Sequence, residues 1–389
     1  MKRIILLIST MIMLCLAAGG CVSQGGEESE FKPETIQSAE HNRNISEKLH
    51  YLDSVDIKYA SLFSIDKYEE GCSLITIDEE GRYLLVPKEL EIPDDLPLDI
   101  KVLYAPVDKI YLAASACTDM FARAGALKNI GFSSFKASDC VIDEARFKIE
   151  SGEIAFSGKY NAPDYELLLS NGCKLAVENT MINHSPKIKE ELTNIGIPVL
   201  IDHSSYEEHP LGRCEWVKLY GALTGHEEDA LKAFDEQADI YNAASAASTN
   251  SKVAFFYITS DGRVNVRKPS DYMAKLIEHA GGSYVPEQVD GENENVMSTI
   301  SMSVEDFFVA AKDCDYIIYN STIEGEIATI EALVEKCGVL ADFKAVKDGN
   351  VYCCTKNIYQ SSMEPGIIAS DIKAMLEGRA DMKYMSKCR

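Results

Sequence analysis

Two stretches of this chain repeat one order of elements, and the repeat constrains the fold more than any other feature. Cys173-Lys-Leu-Ala-Val-Glu-Asn179-Thr180-Met-Ile182 matches Cys314-Asp-Tyr-Ile-Ile-Tyr-Asn320-Ser321-Thr-Ile323. In each copy an apolar run follows a helical pattern, reaches an asparagine and enters a second helix, with Glu190-Glu191-Leu192 in one and Glu331-Ala332-Leu333 in the other. Strands alternating with helices point to a parallel sheet covered on both faces. Residues 109–113 (KIYLA), 174–177 and 197–201 read as further strands, with 118–126 opening a helix. Upstream, LITIDEEGRYLLVP from Leu74 to Pro87 reads as a hairpin around a DEEG turn. The expected fold class is α/β, in two similar lobes.

Between the repeats lies 224–250 (TGHEEDALKAFDEQADIYNAASAASTN). Thr224 with Glu227 has the spacing of a capping box, and neither Gly nor Pro interrupts His226 to Ser248. Ala230, Leu231, Ala233, Phe234, Ala238 and Tyr241 recur at helical spacing. A helix of about 23 residues would span roughly 35 Å, enough to join two lobes. The expected division is a leader (1–20), a tether and extension (21–56), an N-terminal lobe (57–223), the linking helix (224–250) and a C-terminal lobe (251–389).

The chain opens with Lys2 and Arg3, an apolar run from Ile4 to Leu16, small residues at 17–20, and Cys21. That run is too short to span a bilayer comfortably and fits an export signal. A cysteine after small residues resembles the bacterial lipobox, with Ala18 where Leu is commoner, and implies lipidation of Cys21. The polar stretch 24–33 (QGGEESEFKP) suits a flexible tether. The expected location is the outer face of the cytoplasmic membrane, or the periplasm. A net charge of −24, from 38 Lys+Arg and 62 Asp+Glu, argues against nucleic acid as a partner. Of 12 cysteines, Cys173, Cys314 and Cys337 flank apolar runs, Cys353 and Cys354 are adjacent, and no CxxC occurs. Most are expected to be free thiols that pack as small apolar residues.

Over about residues 57–378 the chain resembles the solute-binding proteins of ABC importers for iron chelates, haem and cobalamin. The matching segments are Val102–Gly131, Asp164–Val177, Gly221–Ala230, Tyr272–Gly282 and Lys344–Tyr352. The resemblance implies two Rossmann-like lobes joined by one long helix, with the ligand cleft between them. It also implies a monomer whose partners are an ABC permease with its ATPase subunits and whose cargo is a metal chelate. A ferric siderophore leads, followed by haem or cobalamin, with no resident cofactor and no catalysis. The alternatives are a binder of unchelated metal or a lipid-anchored enzyme acting on a chelate. One surface carboxylate per lobe docks the permease in this family, which here matches Glu166 and Glu278, with Asp119 as a third candidate.

Ligand contacts are expected from loops at the carboxyl ends of the strands. Arg213, Arg263, Arg267 and Lys268 stand out there, since a guanidinium makes a permanent planar fork for carboxylates. Trp216 is expected to stack on a large ligand, with Tyr359, Tyr206 and Tyr257 as further aromatic candidates. His184, His203 and His209 fall in cleft loops, and His184 or His203 would suit an axial position on haem iron. Their spacing matches no compact metal motif, and GxGxxG after a strand, GxxxxGK[ST] and GxSxG are all absent.

Overall fold

The computed structural model describes residues 43–287 and 298–389, so Cys21 and the expected leader lie outside the described residues. A five-stranded sheet comes first: β1 (Tyr51–Ser54), β2 (Phe63–Tyr68), β3 (Ser73–Ile77), β4 (Gly81–Pro87) and β5 (Ile100–Ala105), in that order. β1 to β4 are antiparallel, and β5 adds to β4 in parallel. The β3–β4 pair is the hairpin expected around DEEG. Period-two alternation sends Ile75, Ile77, Tyr83 and Leu85 into the large core and Leu74, Leu84 and Val86 into a smaller one.

The N-lobe sheet is all parallel, in the order β12-β11-β6-β7-β8. Its strands are β6 (Ile110–Leu112), β7 (Ile130–Ser133), β8 (Ala155–Phe156), β11 (Leu175–Asn179) and β12 (Val199–Asp202). A short hairpin, β9 (Gly158–Lys159) with β10 (Ala162–Pro163), follows β8. Parallel strands need crossovers, and α1 (Thr118–Arg123), α2 (Asp143–Ser151), α3 (Tyr165–Ser170) and α4 (Pro186–Asn194) supply them. Leu175 and Val177 enter the large core, while Tyr111, Ala176 and Ile201 pack on the opposite face with Leu168 of α3 and Leu192 of α4.

Three helices then lead out of this lobe: α5 (Pro210–Glu215), α6 (Val217–Thr224) and α7 (Glu227–Ala243). The linking helix α7 is 17 residues, about 25 Å, shorter than the sequence suggested. Beyond Ala243 the backbone bonds to the end of the next helix instead, Ala246 N–H to the His279 carbonyl and Thr249 N–H to that of Gly281. Thr224 does not cap α7 either. Its hydroxyl donates to the Tyr220 carbonyl at 2.6 Å, and α6 ends on Gly225 in the left-handed region at φ +72°. Ala230, Phe234, Gln237 and Tyr241 form the buried face of α7.

The C-lobe sheet holds β13 (Lys252–Ile258), β14 (Val264–Arg267), β15 (Ser283–Val285), β16 (Thr299–Met302), β17 (Tyr316–Tyr319), β18 (Val351–Cys354) and β19 (Met385–Lys387). β15, β13, β17 and β18 are parallel, while the β14–β16 ribbon and β19 are antiparallel additions. Its helices are α8 (Tyr272–His279), α9 (Val304–Ala311), α10 (Ser321–Glu324), α11 (Ile330–Lys336), α12 (Lys344–Lys347) and α13 (Pro365–Leu376). The sequence repeat is also a structural one. α3–β11–Asn179 and α9–β17–Asn320 share a connection, and each asparagine caps the turn it opens. Asn179 Oδ1 accepts from Met181 N at 2.8 Å and Asn320 Oδ1 from Thr322 N at 3.2 Å.

One apolar core runs from Val177 and Leu200 of the N-lobe through Phe234 and Tyr241 of α7 to Phe255 and Ile318 of the C-lobe. Close packing of this kind resists wide hinge bending. The described cysteines are free thiols, buried except for the partly exposed Cys337. Among the described residues no helix is long and apolar enough to cross a membrane.

Candidate functional site

The segment between β18 and α13 closes against the N-lobe at the loop after β6 and at α1, and the turn after β12 shares a pocket with residues that follow β14. Ser362 Oγ donates to the Ala116 carbonyl at 2.8 Å, and Met363 N–H donates to Asp119 Oδ2 at 2.9 Å. Arg123 Nη2 reaches Glu364 at 2.5 Å. Asp119 is thus buried, at 3% exposure, and ties the lobes together. It is not available as a docking acid, because α1 turns it inward against the loop before α13.

Two of the four expected cations converge. Arg213 of α5 is buried. Its Nη2 donates to the Tyr359 carbonyl at 3.3 Å, and its guanidinium lies 4.6 Å from the Tyr272 ring centre. Arg267, at the end of β14, lies 5.5 Å from the same ring and 5.0 Å from that of Tyr359. Its Nε stands 3.1 Å from Asp271 Oδ1, and Nη1 donates to Ser298 Oγ at 3.0 Å. Burial pushes the Asp271 carboxyl up while both guanidiniums pull it back. Arg213 Nε has no hydrogen-bond partner. The cluster therefore holds two guanidiniums against one carboxylate, packed between aromatic faces. Tyr359 is fixed further by Asn320 Nδ2, which donates to its hydroxyl at 3.0 Å. Beside the cluster a pocket of about 140 Å³ opens between lobes, lined by Tyr206, Glu207, Lys268, Ser270, Asp271 and Ser298.

The other expected residues go elsewhere. Arg263 is exposed and clasps the β14–β16 ribbon through Ser301, its Nε donating to Oγ at 2.8 Å. His203 Nε2 pairs with Glu80 Oε1 at 3.2 Å, and Lys189 holds that same carboxylate, so His203 is tied to the N-terminal hairpin. His184 is exposed at the end of the turn after β11. Trp216 is a correction. It is fully buried, its ring 4.9 Å from that of Phe63 and its Nε1 donating to Glu207 Oε1 at 2.9 Å, so it presents no face to a ligand. Phe63 of β2 packs on it, and Ser61 and Leu62 bind the Glu207 that holds its Nε1, residues about 150 positions away and therefore invisible to local patterning.

Glu278 is also corrected as the partner of Glu166. Glu166 is the second residue of α3, after the Asp164 cap, and α3 runs back along β11. It therefore lies at the carboxyl end of the N-lobe strands, the cleft side. Glu278 closes α8, which runs back along β15, so it lies at the amino end of the C-lobe strands, paired with Lys275 at 3.1 Å. The residue equivalent to Glu166 is Glu305, second in α9 after the Ser303 cap and one connection before β17. Both acids are exposed, beside the exposed Leu169 and Val309.

Three buried glutamates escaped the sequence reading. Glu215 accepts from the backbone amides of Lys58, Tyr59 and Ala60, and Glu207 from those of Ser61 and Leu62. Glu178 of β11 has neither carboxylate oxygen hydrogen-bonded, and burial pushes its pKa up to about 8. A glutamate inside the apolar run LAVEN was the available signal for the last. Met181, in the turn after β11, and Ile323 of α10 are exposed apolar residues to which the repeat assigned no role.

No protein-family model matches the chain. It is 24% identical over 389 residues to Uncharacterized lipoprotein MJ0878 of Methanocaldococcus jannaschii, covering 92% of this chain and 89% of that one. Among solved structures it is similar to an ABC transporter substrate-binding protein from Listeria monocytogenes, with a TM-score of 0.53, 14% identity and 68% of this chain on 97% of that one. The periplasmic haem-binding protein HutB of Vibrio cholerae superposes with a TM-score of 0.56 at 17% identity, over 70% of this chain and 99% of that one. The petrobactin-binding protein YclQ of Bacillus subtilis gives 0.55 at 13% identity, over 70% and 93%. With two α/β lobes and a single linking helix, the chain has the fold of the periplasmic solute-binding proteins of ABC transporters.

Proposed function

We propose that this chain is an extracytoplasmic substrate-binding protein of an ABC importer, lipid-anchored at Cys21, that captures a metal chelate and delivers it to its permease. The observation that carries the reading is the meeting of both lobes around Arg213, Arg267, Tyr272 and Tyr359, beside a pocket at their seam. Permanent cations framed by aromatic rings suit an anionic, ring-bearing ligand. A ferric siderophore leads, then haem or cobalamin, in keeping with fold relatives named for haem and petrobactin. The leader and the lipoprotein relative support an anchored, outward location. Closure is modest in amplitude because the core is continuous across the seam. Binding is stoichiometric and leaves the cargo unaltered.

Calorimetric titration of the mature chain with haem, cobalamin and catecholate, hydroxamate and citrate ferric complexes tests this. One of them is expected to saturate one-to-one and to be recovered intact. Silence across that panel with a response to free zinc or manganese, or recovery of a changed chelate, would sink the reading.

Docking rests on Glu166 and Glu305, which share a position in equivalent helices. Reversing either charge, Glu166→Lys or Glu305→Lys, is expected to weaken permease binding about tenfold or more, since opposed charges set docking register. Cargo affinity stays unchanged, and Glu278→Lys has no effect on transport. Transport lost in Glu278→Lys but kept in Glu305→Lys would reverse the assignment.

A further inference from the structure

We propose that His209 is an acid-sensitive catch on the seam between the lobes. Four rings cross that seam in a row. Tyr59 stacks on His209 with centroids 4.6 Å apart, His209 meets Tyr241 edge-on at 5.8 Å, and Tyr241 stacks on His279 at 3.8 Å. They come from the segment before β2, the residue before α5, the linking helix α7, and the end of α8. One histidine from each lobe thus flanks a single tyrosine of α7.

A proton does different things to the two histidines. His279 Nε2 lies 2.7 Å from the Tyr241 carbonyl and donates to it, so charging the ring leaves that bond intact. His209 Nδ1 accepts the Leu211 N–H at 3.1 Å and caps α5. That role needs a bare Nδ1. A proton there sets donor against donor, and the Leu211 amide loses its partner. The titratable groups facing His209 are Tyr59, Tyr241, His279 and Glu215. Burial, then His279, hold its pKa below the usual value, against Glu215. A depressed imidazole pKa means the cap is intact above about pH 6.5 and is lost as pH falls through the lower folded value.

What α5 carries makes that loss consequential. Arg213 reaches from it to the Tyr359 carbonyl and the Tyr272 ring of the C-lobe. Gly212 packs so tightly on the preceding segment that a Cβ there would stand 2.7 Å from the Tyr59 carbonyl oxygen. Freeing the start of α5 therefore loosens both the Arg213 bridge and the seat of Tyr59. The device works without cargo and does not depend on which ligand is bound.

Trp216 follows α5 directly and is the single tryptophan, so its fluorescence reports on this helix. The test titrates the cargo-free mature chain from pH 8 to pH 5 by fluorescence. Hydrogen exchange over 211–215 and 357–363, corrected for intrinsic rates, is followed alongside. In the wild type one sigmoidal transition with a midpoint below about 6.5 is expected, with roughly tenfold loss of protection in both segments. His209→Asn and His209→Ser supply caps that do not titrate, and the transition should vanish in whichever folds. A flat wild-type profile would overturn the proposal. So would a transition retained in those variants, or loosening of 211–215 while 357–363 stays protected.

Discussion

Glu215→Ala is expected to destabilise the protein by about 3–5 kcal/mol, read as a fall in the urea midpoint of unfolding. The carboxylate is fully buried and accepts three backbone amides, from Lys58 at 3.0 Å, Tyr59 at 2.7 Å and Ala60 at 2.9 Å. Lys218 Nζ, also largely buried, donates to it at 2.7 Å. Hydrogen bonds to a charged group are worth about 1.5–3 kcal/mol each, and removing one partner of a buried ion pair costs about 3–5 kcal/mol. The two figures describe overlapping losses, so they are not summed. The alanine variant leaves three amides without their acceptor around a cavity, and Lys218 without its carboxylate, holding only the Asp56 carbonyl. Against a total stability of about 5–15 kcal/mol this threatens folding outright. Glu215→Gln keeps the shape and one acceptor, so about half that loss is expected. A loss under about 1 kcal/mol in the alanine variant would mean the segment before β2 is held by something else.

The second large effect has the opposite sign. Glu178→Gln is expected to stabilise the protein above neutral pH by an amount of order 3–5 kcal/mol, and to leave it unchanged below about pH 4. Glu178 is fully buried with both oxygens unpaired, and burial raises its pKa from 4.5 to about 8. Below the unfolded pKa both states are protonated and the group contributes nothing to the pH dependence. As pH rises the unfolded chain sheds the proton first, so stability falls until pH reaches about 8 and is level beyond. Carboxylates with depressed pKa, such as Glu80 and Glu364, slope the other way. The difference between wild type and variant is therefore the quantity to follow. Parallel stability profiles for the two proteins from pH 4 to pH 9 would contradict it.

Much of the architecture was legible because its causes are local. The hairpin at 74–87, the strands beginning near 110, 175 and 199, and the helix that carries Glu190-Glu191-Leu192 all follow from alternation, helical spacing and turn chemistry. The asparagine repeat was legible for the same reason, since an Asx cap needs only its own next two residues. The linking helix was placed but overrun, because the Ser/Ala tail after Ala243 has no breaker. Only its bonds to the Gly281 turn end it.

The site was legible by residue type and not by role. Arg213 and Arg267 meet around the Tyr272 ring, whereas Arg263 clasps the β14–β16 ribbon and His203 the β3–β4 hairpin. Glu278 was placed by the family resemblance, but which end of a lobe it occupies depends on strand direction. By itself, the sequence determined the alternating elements and the doubled lobe, because periodicity and turn chemistry act over a few residues. Only the tertiary structure decided that Trp216 is core, that Asp119 ties the lobes, and that Glu207 and Glu215 bind a distant segment. Burial and partnership are set by chains meeting across more than a hundred residues, and no local pattern encodes such a meeting.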